Sequence, residues 1–171
     1  MATHPIYDSE YNTYYKGYID LAMGTPLLEG LATGLLDTHT FFEQLPTEKL
    51  SFRYKVGKWT PKEILLHLID TERVFSYRAL QFSRARNVVL PGFDQDEFVA
   101  NSNAITRTMD SLLEEYMAVR TASIVLFNSF NDADLLKMGT ASGFPLSVRA
   151  AGYILCGHEK HHINIIQQRY L

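Results

Sequence analysis

Four stretches of this chain set apolar residues at helical spacing, and no stretch alternates them convincingly with a period of two. That pattern predicts an all-α fold. The first stretch opens at Thr25-Pro26, with Thr25 as cap and Pro26 at the first helical position, and its stripe runs Leu28, Leu31, Leu35, His39, Phe42 until Pro46. The second opens at Thr60-Pro61-Lys62-Glu63, a capping box with proline just inside it, and runs through Ile64, His67, Thr71 and Phe75 to about Arg84. The third follows Asn103 and shows Ile105, Met109, Leu112, Tyr116, Val119, Ser123 and Phe127. The fourth follows Pro145 and shows Val148, Ala151, Leu155, His158, His162 and Ile165.

Helices of roughly 20 to 26 residues are about 30 to 40 Å long, the shape of a four-helix bundle. The segment between the second and third, RNVVLPGFDQDEFVANSN (86–103), is long enough to cross from one end of a bundle to the other, so a crossover bundle is expected over up-and-down wiring. At 171 residues the chain is expected to be one domain, 1–171, with residues 1–22 as an extension packing the tyrosines at 7, 11, 14, 15 and 18 against the bundle.

Hydrophobic residues make up 46% and charged residues 20%, ordinary values for a globular chain, and no apolar run has the length of a membrane span. Net charge is −3 without a basic stripe, so neither nucleic acid nor membrane is an expected partner. The first residues lack the basic-then-apolar pattern of a signal peptide, and the one cysteine, Cys156, has no internal partner. A cytoplasmic location is the expectation.

Residues 158–162 read His-Glu-Lys-His-His and match H-E-x-x-H, the zinc-peptidase pattern. The residues that follow, INIIQQRYL, hold no His, Glu, Asp or Cys to act as a downstream third ligand, and no strand offers a substrate edge, so a peptidase is not expected. The histidine pair survives that objection. His158 and His162 are i and i+4 on an apolar seam, within reach of one metal, where an unpartnered polar group costs about 1–3 kcal/mol. Core histidines with hydrogen-bond partners are the competing reading. A third ligand from His4, His39, His67, His161 or a carboxylate is left open by spacing; His161 is turned about 100° from His162, toward solvent.

Taken together, FRYKVGKWTPKEILLHLIDTERVFSYRAL (52–80), LPGFDQDEFV (90–99) and GTASGFPLSVRAAGYILCGHEKHHINIIQQRYL (139–171) resemble DinB-like proteins of the DinB/YfiT superfamily, from about residue 20 onward. The resemblance implies an up-down-down-up bundle, commonly a homodimer, binding one divalent ion, often zinc or nickel, through three histidines. Carried onto this sequence, the motif positions are His67, His158 and His162. Many relatives have glutamine three residues after the last ligand; here that position is Ile165, so no glutamine role transfers. Characterised relatives include S-transferases using bacillithiol or mycothiol and a mycothiol-dependent maleylpyruvate isomerase.

The expected function is a metal-dependent enzyme acting on a small molecule, with transfer of a low-molecular-weight thiol first and hydrolysis second. Three imidazoles leave a coordination position open, as catalytic sites do. The alternative is a non-catalytic metal-binding or dimeric interaction protein. Glu159 is the one candidate catalytic base, weighed against a surface or ligand-supporting carboxylate. Asp94 and Asp96 either line the site or cap a turn; Trp59 either walls the pocket or packs as a staple; Cys156 is a small core residue; Arg120 interrupts a core stripe and calls for a buried carboxylate partner.

Overall fold

The computed structural model describes residues 6–171. Its helices are α1 (Lys16–Ala22), α2 (Leu27–Glu43), α3 (Pro61–Arg84), α4 (Gln95–Asn101), α5 (Met109–Asn128), α6 (Asp132–Leu135) and α7 (Val148–Arg169), and its strands are β1 (Val89–Leu90), β2 (Met138–Ala141) and β3 (Phe144–Ser147). The four long helices, α2, α3, α5 and α7, form a bundle in which α2 and α3 each pack against both α5 and α7. Consecutive α2 and α3 therefore sit at opposite corners. No single helix among the described residues is long and apolar enough to cross a membrane.

The apolar core falls into two clusters. One holds Leu31 of α2, Phe75 and Phe82 of α3, Phe127 of α5 and Ile154 of α7; the other holds Phe42, Ile64 and Ile69, Leu112 and Tyr116, and Ile166 from the same four helices. One set of buried polar residues falls between them along the chain of each helix: Thr38 on α2, Thr71 and Glu72 on α3, Arg120 and Ser123 on α5, His158 and Glu159 on α7. A polar layer thus crosses the bundle between its two apolar clusters.

Local chemistry explains most helix boundaries. Thr60 accepts from Glu63 N at 3.3 Å while Glu63 Oε2 accepts from Thr60 N at 2.6 Å, so the expected capping box opens α3. Other starts differ from the sequence reading. α2 begins one residue later, with Pro26 as cap, and buries Leu27, Gly30, Leu31, Gly34 and Thr38, so its buried face is rotated from the expected stripe. Two glycines and a threonine carry no hydrophobic signal, yet all three are buried and the glycines admit neighbouring side chains closely. Asn103 takes a left-handed conformation and leads only into the short 3-10 turn Ala104–Thr106; Thr108 then caps α5. Ile105 consequently remains exposed.

The strands correct the expectation of a chain without them. Ser142 and Gly143, both with positive φ, make the two-residue turn that joins β2 to β3, and β1 pairs parallel to β2. Pro145 lies in edge strand β3, where its missing N–H is tolerated, and Ser147 caps α7. The 86–103 connection is not bare loop, because it holds β1 and α4.

Residues ahead of α2 are fastened to α7. Glu10 is buried and accepts from Ser147 Oγ at 2.8 Å, from Arg149 Nε at 2.8 Å and from Arg149 Nη2. Tyr11 is buried and Tyr15 and Tyr18 partly so, but Tyr7 and Tyr14 are 63% and 66% exposed, so the tyrosine cluster packs only in part. α1 rides directly on α7: a Cβ at Gly157 would lie 1.8 Å from the Tyr18 carbonyl oxygen. Gly157→Ala is therefore expected to lower stability by about 1–3 kcal/mol, read as a lower urea midpoint. Gly17→Ala, with nothing within 4 Å of its Cβ, should stay within about 1 kcal/mol of wild type.

Candidate metal centre

His67 lies on the buried face of α3, and His158 and His162 are one turn apart on α7, which packs against it. Their ligating atoms all lie within 4.8 Å of one another, with His158 Nε2 at 3.0 Å from both His67 Nε2 and His162 Nε2. A ring nitrogen carries either one hydrogen or one lone pair, so His158 Nε2 makes at most one good hydrogen bond with two such neighbours. A divalent cation held by the three nitrogens would accept all three lone pairs and remove that conflict. The donor set fits a divalent ion.

The surroundings keep these rings neutral, as ligands must be. Burial pushes His67 down to about 4, and burial reinforced by the neighbouring histidines holds His158 and His162 well below the usual imidazole range. Aromatic rings supply much of the burial. Trp59 lies 4.7 Å from the His67 ring and stacks 6.4 Å from His162, so it walls the site while standing just before the α3 cap. Tyr18 of α1 meets His158 and His161 edge-on, at 5.2 Å each. Thr71 Oγ1, 3.5 Å from His67 Nδ1, is placed to orient the ring's far nitrogen.

The other sequence candidates lie elsewhere. His39 is half-buried beside Glu43, 3.9 Å away, and His4 falls outside the described residues. His161 is half-buried under Tyr18 rather than free in solvent. Asp94 caps α4 by accepting from Asp96 N and Glu97 N, and Asp96 is exposed. Cys156 is a core residue whose thiol burial pushes up to about 12, which makes it inert.

Glu159 is neither at the surface nor among the histidines. Its carboxylate takes hydrogen bonds from Arg120 at 2.7 and 3.1 Å and from Tyr116 OH at 3.0 Å, and Arg120 also holds Glu72 at 2.7 and 2.9 Å. Burial pushes the Glu159 carboxyl up, against the lowering pull of Arg120. The partner that Arg120 called for is thus a pair of carboxylates from α3 and α7.

A cavity of about 200 Å³ opens beside His67 and His158. Tyr14, Tyr15 and Tyr18 line it from the N-terminal side, Phe93 and Gln95 from the 86–103 connection, and Ser142 from the hairpin turn. None of these was visible as a site residue in the sequence, because each comes from a segment outside the four long amphipathic helices. The tyrosine run was the only signal.

Neutral buried histidines make stability depend on pH in a definite direction. An unfolded histidine takes up its proton near 6.5 whereas folded His67 does so near 4, so its contribution is present above 6.5 and lost as pH falls toward 4. For His67 alone that amounts to about 3 kcal/mol. Urea midpoints of the metal-free protein should drop between about pH 7 and pH 4.5, and the drop should shrink in His67→Gln. A slope unchanged by that substitution would contradict a neutral buried His67.

The sequence profile of the DinB superfamily matches residues 32–166. The structure is similar to that of YfiT from Bacillus subtilis, described as a probable metal-dependent hydrolase with an unusual four-helix bundle topology, with a TM-score of 0.71 and 16% identity over 96% of this chain and 90% of that one. A search of curated proteins finds no match. The profile covers most of the chain, its matched span includes all three clustered histidines, and the fold agrees: the chain belongs to the DinB superfamily.

Proposed function

We propose that this protein is a metal-dependent enzyme acting on a small molecule, with His67, His158 and His162 holding one divalent ion, zinc or nickel. The observation that carries the reading is the convergence of three neutral imidazoles, two buried and His162 half-buried, with His67 and His158 in the wall of a cavity. When bound, such an ion supplies Lewis acidity and lowers the pKa of a coordinated nucleophile's O–H or S–H. The three histidines donate lone pairs from two helices, Trp59 and Tyr18 keep bulk water from their rings, and the tyrosine, serine and glutamine groups of the cavity offer neutral hydrogen bonds to a substrate.

Hydrolysis is the leading reaction, supported by the description of YfiT. Thiol transfer is the second reading, and one observation favours it: among the described residues no carboxylate lines the cavity, and Glu159 is tied to Arg120, so a nucleophile needing no general base suits the site. The wiring in this reading is up-down-down-up with 86–103 as crossover; in support, α2 and α7 run from the Phe75 cluster toward the Phe42 cluster while α3 and α5 run the other way. The protein acts in the cytoplasm, as a homodimer, on neither nucleic acid nor membrane.

Elemental analysis of the untagged protein should give about one equivalent of metal per chain in wild type and His39→Ala, and little in His67→Ala or His158→Ala. A His158→Ala chain that keeps its equivalent removes the site. Metal-dependent turnover should then appear in a screen of small esters and amides, or of low-molecular-weight thiols with electrophiles. Stabilisation by metal without turnover in any of these supports the non-catalytic alternative.

A further inference from the structure

Arg78 is buried to 2% exposure, and no carboxylate among the described residues pairs with it. Its Nη2 donates to Pro91 O at 3.3 Å and Ser142 Oγ at 3.0 Å, and its guanidinium lies 4.8 Å from the Phe75 ring centroid and 5.8 Å from that of Phe93. These partners are neutral. They orient the group without cancelling its charge, and a buried charge without a counter-ion is costly. Burial lowers the affinity of Arg78 for its proton, and only the Tyr15 hydroxyl opposes that effect.

The location of this charge is informative. Phe75, Phe93, Ser142 and Tyr15, the groups that surround the guanidinium, all line the cavity that His67 and His158 also line. On α3 the positions 67, 71, 75 and 78 fall on one face, so Arg78 is about three turns, roughly 16 Å, along the helix from His67. Long helical side chains lean toward the N-terminus, and the stacking on Phe75 agrees with that, bringing the guanidinium about one turn closer to the histidines. The guanidinium and the histidine cluster are then on the order of 10 Å apart.

We propose that Arg78 binds the carboxylate of a small substrate whose reacting end lies at the three-histidine cluster. The reacting-end assignment rests on the metal-enzyme reading above; the carboxylate assignment does not. A carboxylate is favoured over a phosphate because, among the described residues, no lysine or arginine lines the cavity to join Arg78, whose guanidinium contacts the lining residues Phe75, Phe93 and Ser142, and a monoanion matches one guanidinium. A cavity of about 200 Å³ also suits a short aliphatic or aryl acid rather than a nucleotide.

Calorimetric titration of the full chain tests this with unbranched mercaptocarboxylates from acetate to octanoate length, their amides, and the matching alkyl phosphates. Wild type, with or without metal, should bind the acids at least about tenfold more tightly than the amides, and Arg78→Met should erase that preference while binding the same amount of metal. Arg78→Lys, which keeps the charge but loses the fork, should retain part of it. In metal-loaded protein the affinity should peak at an intermediate chain length. Equal binding of acid and amide by wild type overturns the proposal whatever the variants do, and tighter Arg78-dependent binding of phosphates overturns the choice of carboxylate. If no metal binds but the acid preference persists, the metal reading fails and the Arg78 assignment stands.

Discussion

One guanidinium ties the four bundle helices together. Arg120 of α5 holds Glu72 of α3, Glu159 of α7 and the Leu31 carbonyl of α2, and Tyr116 on the preceding turn reaches both Glu159 and the Gly34 carbonyl. Such a layer contributes little net stability, because desolvating the charges offsets their attraction, but breaking it by removing one partner costs about 3–5 kcal/mol. Its effect is on rotation. Successive side chains on a helix are turned by about 100°, so with Glu159 drawn toward Arg120, His158 is directed to a different side, where it meets His67. Gly34 belongs to the same constraint, since a Cβ there would fall 1.8 Å from Glu159 Oε1.

The bundle positions the histidines, while the connections enclose them. Three segments outside the long helices close the cavity: the tyrosine-bearing N-terminal stretch, the 86–103 connection and the hairpin turn. Each is anchored by specific bonds. Glu10 fastens the first to the start of α7, and Thr140 N and Ser142 N donate to Val88 O and Leu90 O to join the second to the third. The dry environment that keeps the imidazoles neutral therefore depends on parts of the chain remote from them in sequence.

That division sets what the sequence could reveal. Long amphipathic stretches show their period directly, which is why four helices and the His158/His162 pair were legible, and the Thr60–Glu63 box marked the start of α3 to the residue. Periodicity alone left His39 and His67 equivalent; only the family resemblance distinguished them, because the contact between α3 and α7 is a tertiary fact. The buried face of α2 was misread because Gly30 and Gly34 are defined by what they admit. Strands of two to four residues are too short to show a period, so the hairpin went unread. Glu159 was misplaced for a related reason: adjacency to a ligand histidine says nothing about which helix its carboxylate will face.

Among the described residues Arg78 and Arg120 are the two arginines that are almost wholly hidden, and their surroundings separate their roles. Arg120 is satisfied twice over by Glu72 and Glu159, so its charge is spent within the fold. Arg78 is equally hidden, yet its neighbours are a carbonyl, a hydroxyl and two aromatic faces. Composition and periodicity treat the two alike, as charged residues in helices. Charge balance does not: an internal cation with carboxylates around it is explained by the chain, whereas Arg78, without them, calls for an anion from outside, and Phe75, Phe93 and Ser142 beside it line the cavity that His67 and His158 also line.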